Sequence, residues 1–287
     1  ANELNVFPVP DGDTGTNMSM TMASAMTELD KLEEPTLAKA ADTAASALLR
    51  GARGNSGVIL SLLFRGMAKK LREAEQVDGR ALALVLREGV DTAYKAVMKP
   101  AEGTILTVSR VSAQHAVEAC QADSALSAEQ VLCAVLERGR EALAETVHQN
   151  PVLEKAGVVD AGAFGFLTIL EGMLDGLRGV RKERAAAQPA AKAAADFAAI
   201  ADEEITFTYC TEFIAARKDK ARNVGRLRAI LSDIGDSLVV VEDDDIVKVH
   251  VHTDQPNRAL EEGLKFGPLL TVKIENMREQ HTAKVIE

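Results

Sequence analysis

Two carboxylates, Asp11 and Asp13, lie two positions apart in residues 5–18, NVFPVPDGDTGTNM. In a turning loop alternate side chains can face one point, so this pair could hold one hard cation or two neighbouring ones. Gly12 and Gly15 permit backbone conformations and close approaches that other residues resist. The stretch therefore predicts a Mg²⁺ site directly before a helix.

The residues after the acidic pair could contact phosphate. Backbone N–H groups point outward at the start of a helix and attract anions, and Mg²⁺ completed by phosphate oxygens is a common way to bind ATP. The candidate nucleotide-binding residues here are Thr14, Gly15, Thr16, Asn17 and Met18. Taken alone, an Asp-Gly-Asp sequence is also explained as an acidic turn with a helix cap, and that alternative stays open.

Three later turns between predicted helices carry similar groups. Residues 51–57, GARGNSG, lead into a helix but lack the Gly-Lys-Ser/Thr ending of a Walker A loop. Residues 99–104 and 157–162 each precede another helix, and helix capping explains either one taken singly. The candidate nucleotide-binding residues in these turns are Gly54, Asn55, Ser56, Gly57, Thr104, Asp160 and Gly162. Because even numbers of helices separate the four turns, an up-and-down bundle places them all at one end, which predicts a single site.

A second group of candidate catalytic or metal-binding residues lies near the end of the chain. In VHVHTD, strand periodicity places His250, His252 and Asp254 on one face. Cys210 lies on a predicted strand that neighbours this one in a split βαβ sheet. Cys210, His250 and His252 could bind Zn²⁺, with water, Asp254 or Glu212 as a fourth ligand, or could act on a transferring phosphoryl group. A merely exposed polar sheet face is the third alternative.

Two regions of different periodicity must position these residues. Apolar spacings of three and four predict seven helices over about 16–32, 36–50, 55–74, 79–98, 103–122, 128–148 and 161–178. This pattern predicts an all-α up-and-down bundle or barrel over 1–179. An Ala-rich linker is expected at 180–203.

The remaining residues, 204–287, switch to a period of two. They predict strands at 205–210, 237–242, 246–252 and 269–275, with helices at 219–233 and 256–266. The order β-α-β-β-α-β is typical of a small ferredoxin-like α+β domain.

Composition excludes several classes of function. The 287 residues carry a net charge of −10, so we expect no nucleic-acid partner, because phosphate contacts need a basic surface. Three widely spaced cysteines do not form a disulfide framework, and a reducing cytoplasm fits them best. We expect no transmembrane segment, since no apolar run approaches about 20 residues.

Several motifs together resemble the ATP-binding subunit of bacterial fatty acid kinase, whose N-terminal domain is similar to the L subunit of dihydroxyacetone kinase (DhaL). They are NVFPVPDGDTGTNM, GARGNSGVILS, KPAEGTILTV and GVVDAG, with YCTEF and VKVHVHTD in the second domain. The resemblance implies a barrel of about eight helices with ATP or ADP and two Mg²⁺ ions at one end. It also implies a third Mg²⁺ ligand before the Asp pair, for which Asn5 is the nearest polar candidate.

The resemblance further implies transfer of the γ-phosphoryl group of ATP to a fatty acid carboxylate, giving an acyl phosphate. A separate fatty-acid-binding partner subunit would hold the fatty acid, and we also expect a homodimer. A further helix is expected upstream of Ala1, and a further region beyond Glu287. Two alternatives stay open: a dihydroxyacetone-type small-molecule kinase, and a non-catalytic nucleotide-dependent regulatory or scaffold protein.

Overall fold

The computed structural model describes residues 1–10, 12–74, 76–180 and 205–280. Within these residues the first domain contains eight α-helices: α1 Thr14–Leu29, α2 Leu37–Gly51, α3 Gly54–Leu71, α4 Gly79–Ala96, α5 Ile105–Ala122, α6 Ala128–Gln149, α7 Pro151–Ala156 and α8 Ala161–Leu177. The predicted linker lies outside the described residues except for Val180.

Local signals set most helix boundaries. Side chains of Thr36, Asp78 and Ser127 accept backbone N–H bonds at the starts of α2, α4 and α6, which satisfies donors that the helix itself leaves unpaired. The short helix α7 was not predicted as a separate element, because six residues are too few to show a period. Its start nevertheless carries a local signal, with Asn150 as cap and Pro151 at the first helical position.

The helices close into a ring. Each long helix from α1 to α6 packs against the next along the chain, and α8 contacts α5, α6 and α1. Leucine, valine and alanine side chains fill the interior, as the low aromatic content of 3% requires. The predicted all-α up-and-down arrangement is confirmed.

The second domain is a four-stranded antiparallel sheet with two helices on one face. Its elements are β1 Tyr209–Ala216, α9 Val224–Ile234, β2 Gly235–Glu242, β3 Ile246–Thr253, α10 Pro256–Leu264 and β4 Leu269–Asn276. The strand order β2-β3-β1-β4 is that of a ferredoxin-like domain, so the predicted topology is confirmed.

The predicted first strand at 205–210 is wrong, because β1 begins at Tyr209 and ends at Ala216. Packing decides the difference. Phe213 and Ala215 are buried in the core beneath the two helices, together with Val249 and Val251 of β3. A strand ending at Cys210 would leave this core unfilled.

On β3 the opposite face of the sheet is buried, so the alternative of a merely exposed polar face is wrong. On β3, His250 is 1% and His252 is 6% exposed, and Lys248 is equally buried. The helical domain covers them: Ile214 and Ile246 belong to the same apolar cluster as the helix side chains, and β2 forms a bridge to the end of α4. The interface leaves a cleft between the two domains.

Candidate active site

The cleft has a volume of about 330 Å³ and lies between the ends of the helices and the polar face of the sheet. All four predicted turns contribute to one wall, and β1, β2, β3 and β4 contribute to the other. The sequence predicted that these four turns share one end of the bundle. In the structure they lie around a single opening. Eight of the predicted nucleotide-binding residues line it: Thr14, Asn17, Gly54, Asn55, Ser56, Thr104, Asp160 and Gly162.

The acidic loop enters the cleft at the start of α1. Asp13 lines the cleft and occupies the N-cap position of the helix. Asp11 lies outside the described residues. Asn5 is buried and lines the cleft, with its amide donating to Val9 O at 3.2 Å and its oxygen accepting from the Thr14 hydroxyl. The Asn5 oxygen thus already braces the loop from which Asp13 projects.

The start of α3 fits tightly against α1. Gly54 has φ of +60°, and a Cβ there would lie 2.5 Å from Asn17 Nδ2. The turn before it is held by Arg53 N, which donates to Thr21 Oγ1 at 3.2 Å. Only glycine allows this approach, which leaves the first N–H groups of α3 facing the cleft as an anion site.

The other two turns are helix caps as well as cleft walls. Thr104 accepts from Leu106 N and donates its own hydroxyl to Ala101 O at 2.7 Å. Asp160 accepts from Ala163 N at 2.7 Å. Burial raises the pKa of the Asp160 carboxyl to about 6, although backbone N–H donors at the cap oppose that shift.

Four predicted nucleotide-binding residues do not line the cleft. Thr16 exchanges hydrogen bonds with Asn2, and Met18 is buried in the helical core. A Cβ on Gly15 would lie 2.7 Å from Asn2 Oδ1, and one on Gly57 would lie 2.5 Å from Thr21 Oγ1. These four residues therefore pack against neighbouring side chains around the acidic loop and the Gly54 turn.

The sheet wall carries a chain of titratable side chains. His250 Nδ1 lies 2.7 Å from Glu212 Oε1, and His252 Nδ1 lies 3.6 Å from Asp236 Oδ1. Each ring therefore turns its Nε2 atom toward the other, at a separation of 3.3 Å. Ligand atoms of Cys210, His250 and His252 all lie within 4.8 Å of one another, so the three predicted residues are brought together.

Asp254 is not part of this cluster. It follows the end of β3, is exposed, and accepts a hydrogen bond from Thr208 N at 2.8 Å. Glu212, the other residue considered as a fourth ligand, instead faces His250 Nδ1. A carboxylate in that position orients the ring and leaves Nε2 available.

Burial and charge separate the two histidines. Burial disfavours charge on both rings, but Cys210 and Glu212 raise the pKa of His250 to about 10. Burial and the neighbouring His250 lower the pKa of His252 to about 3. Burial would raise the pKa of Glu212, but His250, with Lys248 and Lys273, lowers it to about 2. One ring is thus a cation paired with Glu212, and the other is neutral.

The sequence analysis missed three polar residues of the site. Asp236 reaches His252 from a bulge in β2, where Ser237 has φ of +50°. Lys273 lines the cleft opposite Glu212 in the β1–β4 register, with its Nζ 2.7 Å from Glu275. Lys248 could have been found, because it shares the alternation that places both histidines on one face.

The residues present fit a nucleotide phosphate with Mg²⁺. The helical wall offers the Asp13 carboxylate and the N–H groups of Gly54, Asn55 and Ser56, which suit a hard cation and phosphate oxygens respectively. The cradle closes against Asn17 with no room for a Cβ on Gly54.

In the described ranges, no helix combines the length and the apolar character needed to cross a bilayer.

The fold and site thus define a two-domain protein in which a helical domain with a helix-end cradle faces an α+β domain that carries two histidines. Comparison with known families assigns both domains to a kinase-type subunit. Residues 8–175 match the DAK2 domain, and residues 206–284 match the FakA-like middle domain, which is named after fatty acid kinase. The chain belongs to this family of DAK2-domain proteins with a FakA-like middle domain.

Several curated relatives of this chain are uncharacterised proteins of staphylococci. One from Staphylococcus epidermidis (strain ATCC 12228 / FDA PCI 1200) is 42% identical over 287 residues, which covers 98% of this chain and 52% of the relative. Proteins from Staphylococcus aureus strains bovine RF122 / ET3-1 and USA300 show the same identity and coverage. The chain therefore spans about half the length of these relatives.

Proposed function

We propose that this kinase-family protein binds Mg²⁺–ATP on the helical wall of the cleft. We further propose that it transfers the γ-phosphoryl group to a fatty acid carboxylate presented by a fatty-acid-binding partner, giving ADP and an acyl phosphate. The observation that carries the proposal is the cleft itself. One opening is lined by the Asp13 loop, the Gly54 turn, His250 and His252, although these residues come from two domains.

In this scheme the helical wall binds and the sheet wall reacts. Asp11 and Asp13, with Asn5 bracing the loop, would hold Mg²⁺, which would neutralise phosphate charge. The N–H groups that follow Gly54 hold phosphate oxygens. His250, kept cationic by Cys210 and Glu212, contacts the transferring phosphoryl group, and His252 and Cys210 complete that contact. The acceptor carboxylate is already ionised at neutral pH, so the transfer needs no general base.

A second candidate role for the same cluster is a Zn²⁺ site. It is favoured by the two Nε2 atoms that face each other at 3.3 Å, by ligand atoms of Cys210, His250 and His252 within 4.8 Å of one another, and by a carboxylate behind each ring. Bound there, Zn²⁺ would supply a positive charge for phosphate oxygens. Metal analysis by mass spectrometry of the purified protein and of Cys210→Ser distinguishes the roles: stoichiometric zinc lost in the variant supports the site, and zinc-free active protein excludes it.

Calorimetric titration of ADP, with and without Mg²⁺, tests the nucleotide site. We expect binding that depends on Mg²⁺, and its loss in Asp11→Ala and in Asp13→Ala. Asp78→Ala, which removes an exposed helix cap, is the matched control and should bind as the wild type does. Binding that is indifferent to both loop aspartates would overturn the proposed metal loop.

Transfer itself is measured with γ-labelled ATP and palmitate, presented by the fatty-acid-binding protein purified from the same organism. Labelled acyl phosphate that is sensitive to hydroxylamine is the expected product. Transfer to dihydroxyacetone instead would favour the small-molecule kinase. Nucleotide binding with no transfer to either acceptor would favour the regulatory or scaffold alternative.

We also propose that the chain forms a homodimer. β4 is an outer strand of the sheet, and Leu270, Val272 and Ile274 on it are 54%, 47% and 42% exposed. An apolar row of this kind is typical of a surface that another copy covers. Sedimentation velocity should give a dimer, and Val272→Lys should give a monomer. A wild-type monomer at micromolar concentration would contradict this part of the proposal.

A further inference from the structure

Lys248 is a buried lysine to which the scheme above assigns no role. It is only 4% exposed and precedes His250 and His252 on the same face of β3. An ammonium group is costly to bury unless it is well paired. Its Nζ donates a hydrogen bond of 2.6 Å to the backbone oxygen of Ala52, which belongs to the helical domain. The lysine therefore ties the strand that carries the histidines to the other wall of the cleft.

The acceptor of this bond lies at a critical place. Ala52 follows the end of α2 and precedes Gly54, where the proposed phosphate cradle begins, by two residues. Within the helical domain the same turn is already held by Arg53 N on Thr21 Oγ1 and by Gly57 N on Arg53 O. The cradle thus has its own support, and the bond from Lys248 adds a connection to the sheet.

The strand at the other end of the bond is rigid. β3 pairs with β1 on one side and β2 on the other, and all eight of its residues are buried. Residues two apart on a strand are separated by about 7 Å, so fixing Lys248 fixes the distance of His250 from the turn. A displacement of about 1 Å at a reacting group can cost about a hundredfold in rate.

We propose that Lys248 is a positioning residue, which holds β3 against the Gly54 turn so that the histidines and the nucleotide phosphates share one cleft. The proposal rests on the proposed function for its effect on the rate. Its structural part, the connection between the domains, does not depend on that function. In this proposal Lys248 contacts no substrate and acts through the placement of the strand.

The chain offers a matched control at the same interface. Arg50 and Asp245 also join the two domains, at 3.7 Å, but their side chains are 46% and 74% exposed. An exposed pair at this distance contributes little. Arg50→Gln therefore removes an exposed ion pair between the domains and leaves the buried bond from Lys248 intact.

The test compares Lys248→Met with Arg50→Gln in the full-length protein. Methionine keeps the apolar stem and removes only the donor. By hydrogen–deuterium exchange we expect segments 52–57, 97–99 and 236–240, which meet at the interface, to exchange about tenfold faster in Lys248→Met, since a buried bond from a charged donor is lost. Arg50→Gln should stay within about twofold of the wild type. Amides of β1 and β3 report, in the same experiment, whether the sheet is folded.

Kinetics and binding supply the second readout. We expect Lys248→Met to lower kcat about tenfold, while the Kd for Mg²⁺–ADP stays within about threefold, because the cradle is held independently. Lys248→Arg, which keeps a cationic donor, should restore part of kcat.

Several results would overturn the inference. Exchange in Lys248→Met that matches Arg50→Gln would show that the bond does not join the domains. An unchanged kcat despite faster exchange, or a parallel loss of nucleotide affinity, would show that Lys248 does not align the walls. If Lys248→Met unfolds the sheet, Lys248→Gln carries the same measurements. If the wild type shows no transfer activity, the proposed function is wrong. Hydrogen–deuterium exchange would still show whether the bond from Lys248 to Ala52 joins the two domains.

Discussion

The polar groups on the two walls of the cleft find their hydrogen-bond partners at different distances along the sequence. On the helical wall the helix-capping side chains are satisfied within a few residues, as Asp160 is by Ala163 N and Thr104 by Leu106 N. On the sheet wall the partners are distant in sequence: 38 residues separate Glu212 from His250, and 196 separate Lys248 from Ala52. Local capping thus suffices to build a binding surface, whereas a chain of buried charges requires the assembled fold.

The difference also separates the expected effects of mutation. A change on the sheet wall should affect the rate of transfer and spare nucleotide binding. A change on the helical wall should affect binding or stability first. The four predictions below test this division, beginning with the largest effect.

His252→Ala should lower the rate of phosphoryl transfer by about 10²–10³-fold, because in the proposed scheme it removes a polar group that contacts the reacting phosphoryl. Mg²⁺–ADP affinity, measured by calorimetry, should stay within about threefold of the wild type. His148→Ala is the control, since that histidine is exposed at the end of α6. Loss of nucleotide binding in His252→Ala would break the division between the walls, and full activity would remove His252 from the mechanism.

Asp160→Asn tests the helical wall through pH. The folded-state pKa of about 6 lies above the ordinary value of 3.8, so the folded state holds the proton more tightly than the unfolded state. The carboxyl therefore imposes no penalty below about pH 4 and lowers the free energy of unfolding by up to about 3 kcal/mol as the pH rises to 6.

Urea unfolding between pH 3.5 and 7 measures this effect. The difference in unfolding free energy between the wild type and Asp160→Asn should change across that window and be constant above about pH 6. The variant Asp78→Asn, at an exposed cap with the same local geometry, should follow the wild-type curve. Parallel curves for the wild type and Asp160→Asn would show that burial does not perturb the cap.

Glu212→Gln should lower kcat by about 10–100-fold, because the carboxylate that orients His250 and keeps it charged is replaced by a neutral amide. We expect little change in the KM for ATP, because the proposed ATP site lies on the opposite wall. Glu242→Gln, near the other end of the sheet, is the control. Activity within twofold of the wild type would mean that His250 needs no orienting partner.

Gly54→Ala should weaken Mg²⁺–ADP binding about tenfold, because a Cβ at φ of +60° would lie 2.5 Å from Asn17 Nδ2 and displace the cradle. In Gly172→Ala, within α8, the new Cβ meets nothing within 4 Å, so this control should bind normally and gain up to about 1 kcal/mol in stability. Equal affinity in the two variants would show that the turn does not need glycine for binding.

Much of the helical wall could be predicted because its signals are local. The cap and proline at the start of α7, the glycine at 54 and the acidic loop can be recognised within a few residues, and the even number of helices between turns places them together. The start of β1 could not be predicted, because the alternating stretch at 205–210 is as regular as the true strand. Only the core beneath α9 and α10 selects the segment that contains Phe213.

The two domains, the family motifs and the shared face of His250 and His252 can be predicted from the sequence, because each depends on the period or type of neighbouring residues. Three features are visible only in the folded chain: this face is buried against the helical domain, Asp236 and Glu212 lie behind the two rings, and Lys248 reaches Ala52. These contacts depend on strand order, a β-bulge and domain packing, and such long-range pairings leave no local pattern in the chain.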